Sequence, residues 1–138
     1  MHDDVFAIDA NVILRHLLQD DQELSPKAKA IFDAMEGGRL TVLCEPVTLA
    51  EVVWVLKSFY KLTPQEISTE LTQLAMNTGF IIPSKPQYLL ALQLYGGPIP
   101  HFGDACACAA AIDKCEGRLF SFDRGIPKVA GIARMEEV

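Results

Sequence analysis

Val5-Phe6-Ala7-Ile8-Asp9-Ala10-Asn11-Val12-Ile13-Leu14-Arg15 is the stretch that decides the fold. Four apolar residues ending on an acid have the pattern of a short buried strand. From residue 11 to residue 19 the apolar side chains Val12, Ile13 and Leu17 recur at helical spacing, with Leu14 and Leu18 beside them. Gln19-Asp20-Asp21 breaks that helix. A strand that runs straight into a helix sets a pattern that the rest of the chain repeats.

Ser25-Pro26 opens a second helix, with Ser25 as N-cap and proline at the first helical position, and Gly37-Gly38 stops it. Residues 40–43 read as a strand and residues 46–60 as a strongly apolar helix. Thr63-Pro64-Gln65-Glu66 is a capping box that starts a helix reaching residue 77. Residues 80–82 form a strand and residues 87–95 a helix closed by Gly96-Gly97-Pro98. A small-residue helix over 104–116 follows, then a strand over 119–122 ending at Asp123, and a last short strand within 132–138. Strands alternating with helices predict a parallel sheet covered on both faces, an α/β class. Ligands in such folds bind beyond the carboxyl ends of the strands.

With 138 residues and no repeat or linker, the chain is expected to form a single domain over 1–138. Half of the residues are apolar and 22% are charged, a globular composition. Apolar runs fall far short of the ~20 residues a membrane span needs. The opening MHDDVFAID is acidic, unlike a secretory signal, and the expected location is cytoplasmic. Twelve Lys and Arg against eighteen Asp and Glu give a net charge of −6, which disfavours a general electrostatic grip on nucleic-acid phosphates. Cys44, Cys106, Cys108 and Cys115 make no Cys-x-x-Cys pair, and His2, His16 and His101 do not complete a zinc pattern. The cysteines are expected to be reduced and to serve as packing residues.

Four acids occupy telling places. Asp9 and Asp123 follow strands and would project from the carboxyl edge of the sheet. Asp104 begins a helix, where the dipole favours a carboxylate. Each of these also has a plain reading as a turn or capping residue. Glu51 is harder to explain locally: its helical neighbours are Val47, Thr48, Trp54 and Val55, none a cation. Either it faces solvent, or something positive meets it, and the second is expected here because a buried unpaired acid is costly. Gathered together, Asp9, Glu51, Asp104 and Asp123 would repel one another, and a divalent cation would relieve that repulsion. Oxygen ligands suit Mg²⁺ or Mn²⁺, which can activate water and stabilise charge at phosphorus.

The segment from Phe6 to Arg15 resembles the opening of PIN-domain nucleases, and is similar to the VapC-type toxins, which often continue to a pair like Asp20-Asp21. Thr48-Leu49-Ala50-Glu51-Val52, Phe102-Gly103-Asp104-Ala105 and Phe120-Ser121-Phe122-Asp123-Arg124 resemble the family's three further motifs, in the family's order. The resemblance implies a three-layer α/β/α fold with a central, mostly parallel sheet. It implies a Mg²⁺- or Mn²⁺-dependent ribonuclease with catalytic acids Asp9, Glu51, Asp104 and Asp123. Metal would be held by Asp9, Asp104 and Asp123, and Asn11, Thr48 and Ser121 would support. It also implies a homodimer and a cognate VapB-type antitoxin. Asn11 doubles as a candidate N-cap. The chain departs from the family where Arg124-Gly125 replaces a further acid. Arg124 is a candidate phosphate contact or a solvated residue. His101 is a candidate proton shuttle or an ordinary loop histidine.

The expected reaction is hydrolysis of an RNA phosphodiester by metal-activated water, with Glu51 ligating through water or accepting a proton. Trp54, Phe59 and Tyr60 either line a groove for an antitoxin segment or belong to the core. Two other readings compete: a catalytically inactive PIN-fold module that only binds a partner, and a housekeeping RNA-processing nuclease. A haloacid-type phosphatase would need a second acid where Asn11 stands, and no glycine-rich phosphate loop is present.

Overall fold

The computed structural model describes residues 4–126 and 129–138. His2 and Asp3, and the start of the acidic opening weighed above, lie outside the described residues. The elements are β1 (Val5–Ala7), α1 (Ala10–Leu18), α2 (Leu24–Glu36), β2 (Thr41–Leu43), α3 (Pro46–Ser58), α4 (Pro64–Ala75), β3 (Phe80–Ile81), α5 (Lys85–Tyr95), α6 (Phe102–Lys114), β4 (Arg118–Phe120) and β5 (Ala133–Met135). They form two compact units, Met1–Lys85 and Pro86–Val138.

In the first unit the strands run in the order β1-β2-β3 and all pair in parallel, with Phe6 beside Val42 and Val42 beside Phe80. The central strand is the buried one: Val42 is 2% exposed, and Cys44 just beyond it is fully buried. α1 packs on α2 and α3, and α3 on α4. Ile13, Phe32, Met35, Leu49, Val52, Leu56, Ile67, Leu71 and Phe80 fill the core between them. Burying such side chains contributes roughly 1.5–3 kcal/mol each before conformational entropy is charged against it. In the second unit β4 and β5 pair in parallel, and α5 and α6 supply buried Tyr95, Leu92, Cys108 and Ala109. Both sheets are parallel, as the alternation of strands and helices predicts.

Local chemistry sets most boundaries. Thr63 and Glu66 form the expected capping box: Glu66 N–H donates to Thr63 Oγ1 (3.1 Å) and Thr63 N–H donates to Glu66 Oε1 (2.9 Å). Gly37 caps α2, and Gly38 follows with φ 72°.

Several expectations are corrected. Ser25 does not cap α2. The helix starts earlier, and Asp21 Oδ1 takes the N–H groups of Glu23 (2.9 Å) and Leu24 (2.8 Å), which leaves Ser25 buried and donating to Arg15 O (2.8 Å). α3 ends at Ser58, so Phe59 and Tyr60 lie beyond it. β1 is not a buried strand. Val5 and Phe6 are 54% and 51% exposed, because among the described residues β1 lies at the edge of its sheet and pairs with β2 alone. Cys115 is not a packing residue. α6 stops at Lys114, which leaves Cys115 exposed at the cap.

Candidate active site

In the first unit, β1 and β2 are parallel, so α1 and α3 both leave from the same edge of the sheet. Asp9 stands at that edge with extended backbone (φ −103°, ψ 171°) and caps α1, its Oδ1 accepting from Val12 N–H at 3.2 Å. Asp9, not Asn11, is therefore the N-cap: the chain turns helical at Ala10, which already puts Asn11 inside the first turn, and Asn11 is exposed. Asp9 also borders an apolar groove of ≈ 380 Å³ between β1 and the helices, lined by Phe6, Ile8, Val12, Ile31 and Val42.

Glu51 lies in the second turn of α3 and is exposed, with no hydrogen bond or ion pair among the described residues. The positive partner expected for it is thus not found there. α3 buries Leu49, Val52, Val53 and Leu56 and turns Val47, Ala50, Glu51 and Trp54 outward, so Glu51 remains hydrated. Trp54 (59% exposed), Phe59 (68%) and Tyr60 (39%) are not core residues, and the Trp54 and Phe59 rings meet edge to face at 5.7 Å. Thr48, half-buried, sits one turn before Glu51 and Val52 on the same helix.

The pair Asp20-Asp21 has structural duties. Arg15 Nη1 donates to Asp20 Oδ1 at 2.7 Å, and Tyr60 Oη donates to Asp20 Oδ2 at 3.1 Å while accepting from Arg15 Nη2 at 3.3 Å. This cluster ties the end of α3 to α1. Nothing in the spacing of Arg15 and Tyr60 announces it.

In the second unit, Asp104 is the third residue of α6 and not its first, because the helix begins at Phe102. His101 holds the N-cap position with no side-chain capping bond, and is exposed. Asp123 lies three residues past the end of β4. Its N–H donates to Ser121 Oγ (3.0 Å), and its Oδ1 accepts from Gly125 N–H (2.9 Å). Ser121 thus fixes Asp123 through the backbone. Ser121 is itself held from β5, since Arg134 Nη1 donates to its carbonyl at 2.6 Å and also pairs with Glu136 at 2.6 Å.

Cys108 is buried one helical turn after Asp104, and burial pushes its thiol up, with the negative charges of Asp104 and Asp123 adding to the rise. Cys44 and Cys106, raised by burial to about 12 and about 11, are poor thiolates.

Among the described residues no group of three or more His, Cys, Asp or Glu is assembled as a metal cage. The carboxylates of Asp104 and Asp123 are each of the donor type that suits a hard cation, since Mg²⁺ is commonly bound through one or two carboxylates with water and substrate phosphate completing its shell. Also among the described residues, no helix is long and apolar enough to cross a membrane.

None of the curated proteins compared with the chain matches it. The family model of the PIN domain matches residues 6–132, a span that holds Asp9, Glu51, Asp104 and Asp123, and the chain belongs to the PIN domain family.

Proposed function

We propose that the protein is a Mg²⁺- or Mn²⁺-dependent endoribonuclease and acts as the toxin of a toxin–antitoxin pair. One observation carries the reading: a nuclease-type fold family matches residues 6–132, a span that holds Asp9, Glu51, Asp104 and Asp123. The accessibility of those acids supports it. Asp9, Glu51 and Asp123 are exposed and Asp104 is half-buried, so all four are open to a polar substrate.

In this reading Asp9, Asp104 and Asp123 are the residues that would hold the cation, and the capping bond to Val12 commits one Asp9 carboxylate oxygen and leaves the other free for it. A bound cation would supply an activated water and offset the charge that builds on the phosphate. Glu51, hydrated on α3, accepts the proton of the attacking water. Ser121 keeps the Asp123 backbone in place, while Asn11 and Thr48 flank Asp9 and Glu51 in sequence. Attack in line with the 3′-oxygen leaves a 5′-phosphate.

We assign the exposed face of Trp54, Phe59 and Tyr60 to a VapB-type antitoxin, and expect the chain to pair with a second copy of itself elsewhere on its surface. An antitoxin Arg or Lys beside Glu51 would supply the positive partner that Glu51 lacks among the described residues.

A thermal melt with Mn²⁺ titrated in tests the reading, comparing wild type with Asp104→Asn. Mn²⁺ is expected to raise the melting temperature of wild type and leave the variant unmoved, because a ligand of the folded state stabilises by mass action. Cleaved RNA is expected to carry 5′-phosphate ends. No Mn²⁺ response, or a 2′,3′-cyclic phosphate product, would overturn it.

A further inference from the structure

Asp123 lies in an exposed stretch past the end of β4, where an unheld carboxylate would have to be ordered each time a cation binds. Two bonds hold it: its N–H donates to Ser121 Oγ, and its Oδ1 accepts from Gly125 N–H. The first depends on where Ser121 lies. Ser121 N–H donates to Met135 O at 3.0 Å, which carries the β4–β5 ladder one bond further. β5 ends at Met135, and the Ser121 carbonyl takes its bond from a side chain instead, Arg134 Nη1 at 2.6 Å. Packing alone does not call for arginine there. Arg134 lies in register with Leu119, its side chain is 14% exposed, and its Nε–H has no acceptor among the described residues. A guanidinium so placed, with one donor unfilled, costs stability that an aliphatic side chain of similar length would not. What arginine adds over such a side chain is Nη1, shared between Ser121 O and Glu136 Oε2.

We infer that Arg134 is a positioning residue of the proposed metal site: by holding the Ser121 carbonyl it fixes the Ser121–Gly125 turn in the conformation that presents the Asp123 carboxylate to a cation. The inference rests on the ribonuclease reading above and adds to it a residue of β5, outside the four acids and their motifs. Arg134 acts through Ser121 and Asp123 and has no contact with cation or RNA in this assignment. With the turn already held, its ordering cost is met in folding and not at metal binding. Loss of Arg134 therefore falls on metal affinity and leaves the hold on RNA. Groups that orient a metal ligand from behind commonly matter by roughly 10–100-fold in affinity or activity.

In the experiment, Mn²⁺ binding to the full chain is followed by the electron paramagnetic resonance signal of free Mn²⁺. Hydrogen exchange at the Asp123 and Gly125 amides is followed without metal, and cleavage of an RNA oligonucleotide is measured across a range of Mn²⁺. Arg134→Met is expected to weaken Mn²⁺ binding about tenfold and to speed exchange of the two amides about tenfold, with a melting temperature close to that of wild type. Its cleavage should fall at limiting Mn²⁺ and return at saturating Mn²⁺, with KM for RNA within about twofold of wild type. Nη1 alone makes both contacts, so the single ammonium of Arg134→Lys should restore most of the affinity. Arg134→Gln, shorter and neutral, should repeat the loss, and it replaces the methionine variant if that one does not fold. The inference is overturned if wild type binds Mn²⁺ and Arg134→Met binds it as tightly, if Arg134→Lys is as weak as Arg134→Met, or if the lost cleavage does not return at saturating Mn²⁺. If Mn²⁺ binding depends on Arg134 and wild type cuts no RNA, the ribonuclease reading falls while the positioning role stands. If wild type binds no Mn²⁺, both fall.

Discussion

Asp9 caps α1 and, in the proposed function, would also hold the metal, and the two roles can be separated. Its Oδ1 caps α1 through Val12 N–H, a bond an asparagine side chain can also make. Asp9→Asn is therefore expected to keep the stability of wild type and lose cleavage. Asp9→Ala should lose cleavage and about 1 kcal/mol of stability as well. Urea melts and RNA cleavage assays on both variants check this, and equal melts with equal activities would refute the double role. His16 supplies a second residue-level expectation. It stacks on Phe32 with ring centroids 4.0 Å apart, and burial holds its pKa below the ordinary 6.5. The folded state therefore favours neutral imidazole. The unfolded state takes up the proton first as pH drops, so His16 costs no stability above pH 6.5 and lowers it progressively as pH falls below that value. His16→Phe should flatten the fall in stability between about pH 7.5 and 5.5 relative to wild type, as read from urea midpoints at each pH.

At the scale of elements, the turn from α6 into β4 is the tightest point of the second unit. Gly117 has φ 80°, and a Cβ placed there would lie 1.9 Å from Gly131 O. Its own carbonyl accepts from Ala133 N–H at 2.8 Å, beside the first rung of the β4–β5 pairing. Gly117→Ala combines an unfavourable φ with a backbone clash, and is expected to destabilise by more than about 1 kcal/mol. Hydrogen exchange should show the loss at the amides of β4, β5 and the Ser121–Asp123 loop. Unchanged protection there would mean the turn relaxes without cost. The helix starts and stops were legible where one residue type has one local use, as with the Thr63 box and Gly37-Gly38. The start of α2 was not legible, because Asp21 and Ser25 are both good capping residues and only the contact of Ser25 with Arg15 O decides between them.

For the whole molecule, the net charge of −6 predicts how RNA binding responds to salt. With few cations to displace counter-ions, the slope of log affinity against log salt should be shallow, of magnitude about 2 or less, measured by anisotropy between about 50 and 200 mM. A slope near the ~6–10 of multi-phosphate binders would show a basic surface that the charge count does not reveal. The sequence by itself determined the alternation of strands and helices, hence the parallel pairing, and the identity and order of the four acids. Those follow from periodicity and residue type, which are local. Tertiary structure decided which side chains meet water and which meet each other. It opened β1, Trp54 and Phe122 to solvent, left Glu51 hydrated, joined Arg15 to Tyr60, and buried Cys108. Exposure and pairing depend on neighbours many residues away in the chain, and a pattern with a period of two or 3.6 carries no record of them.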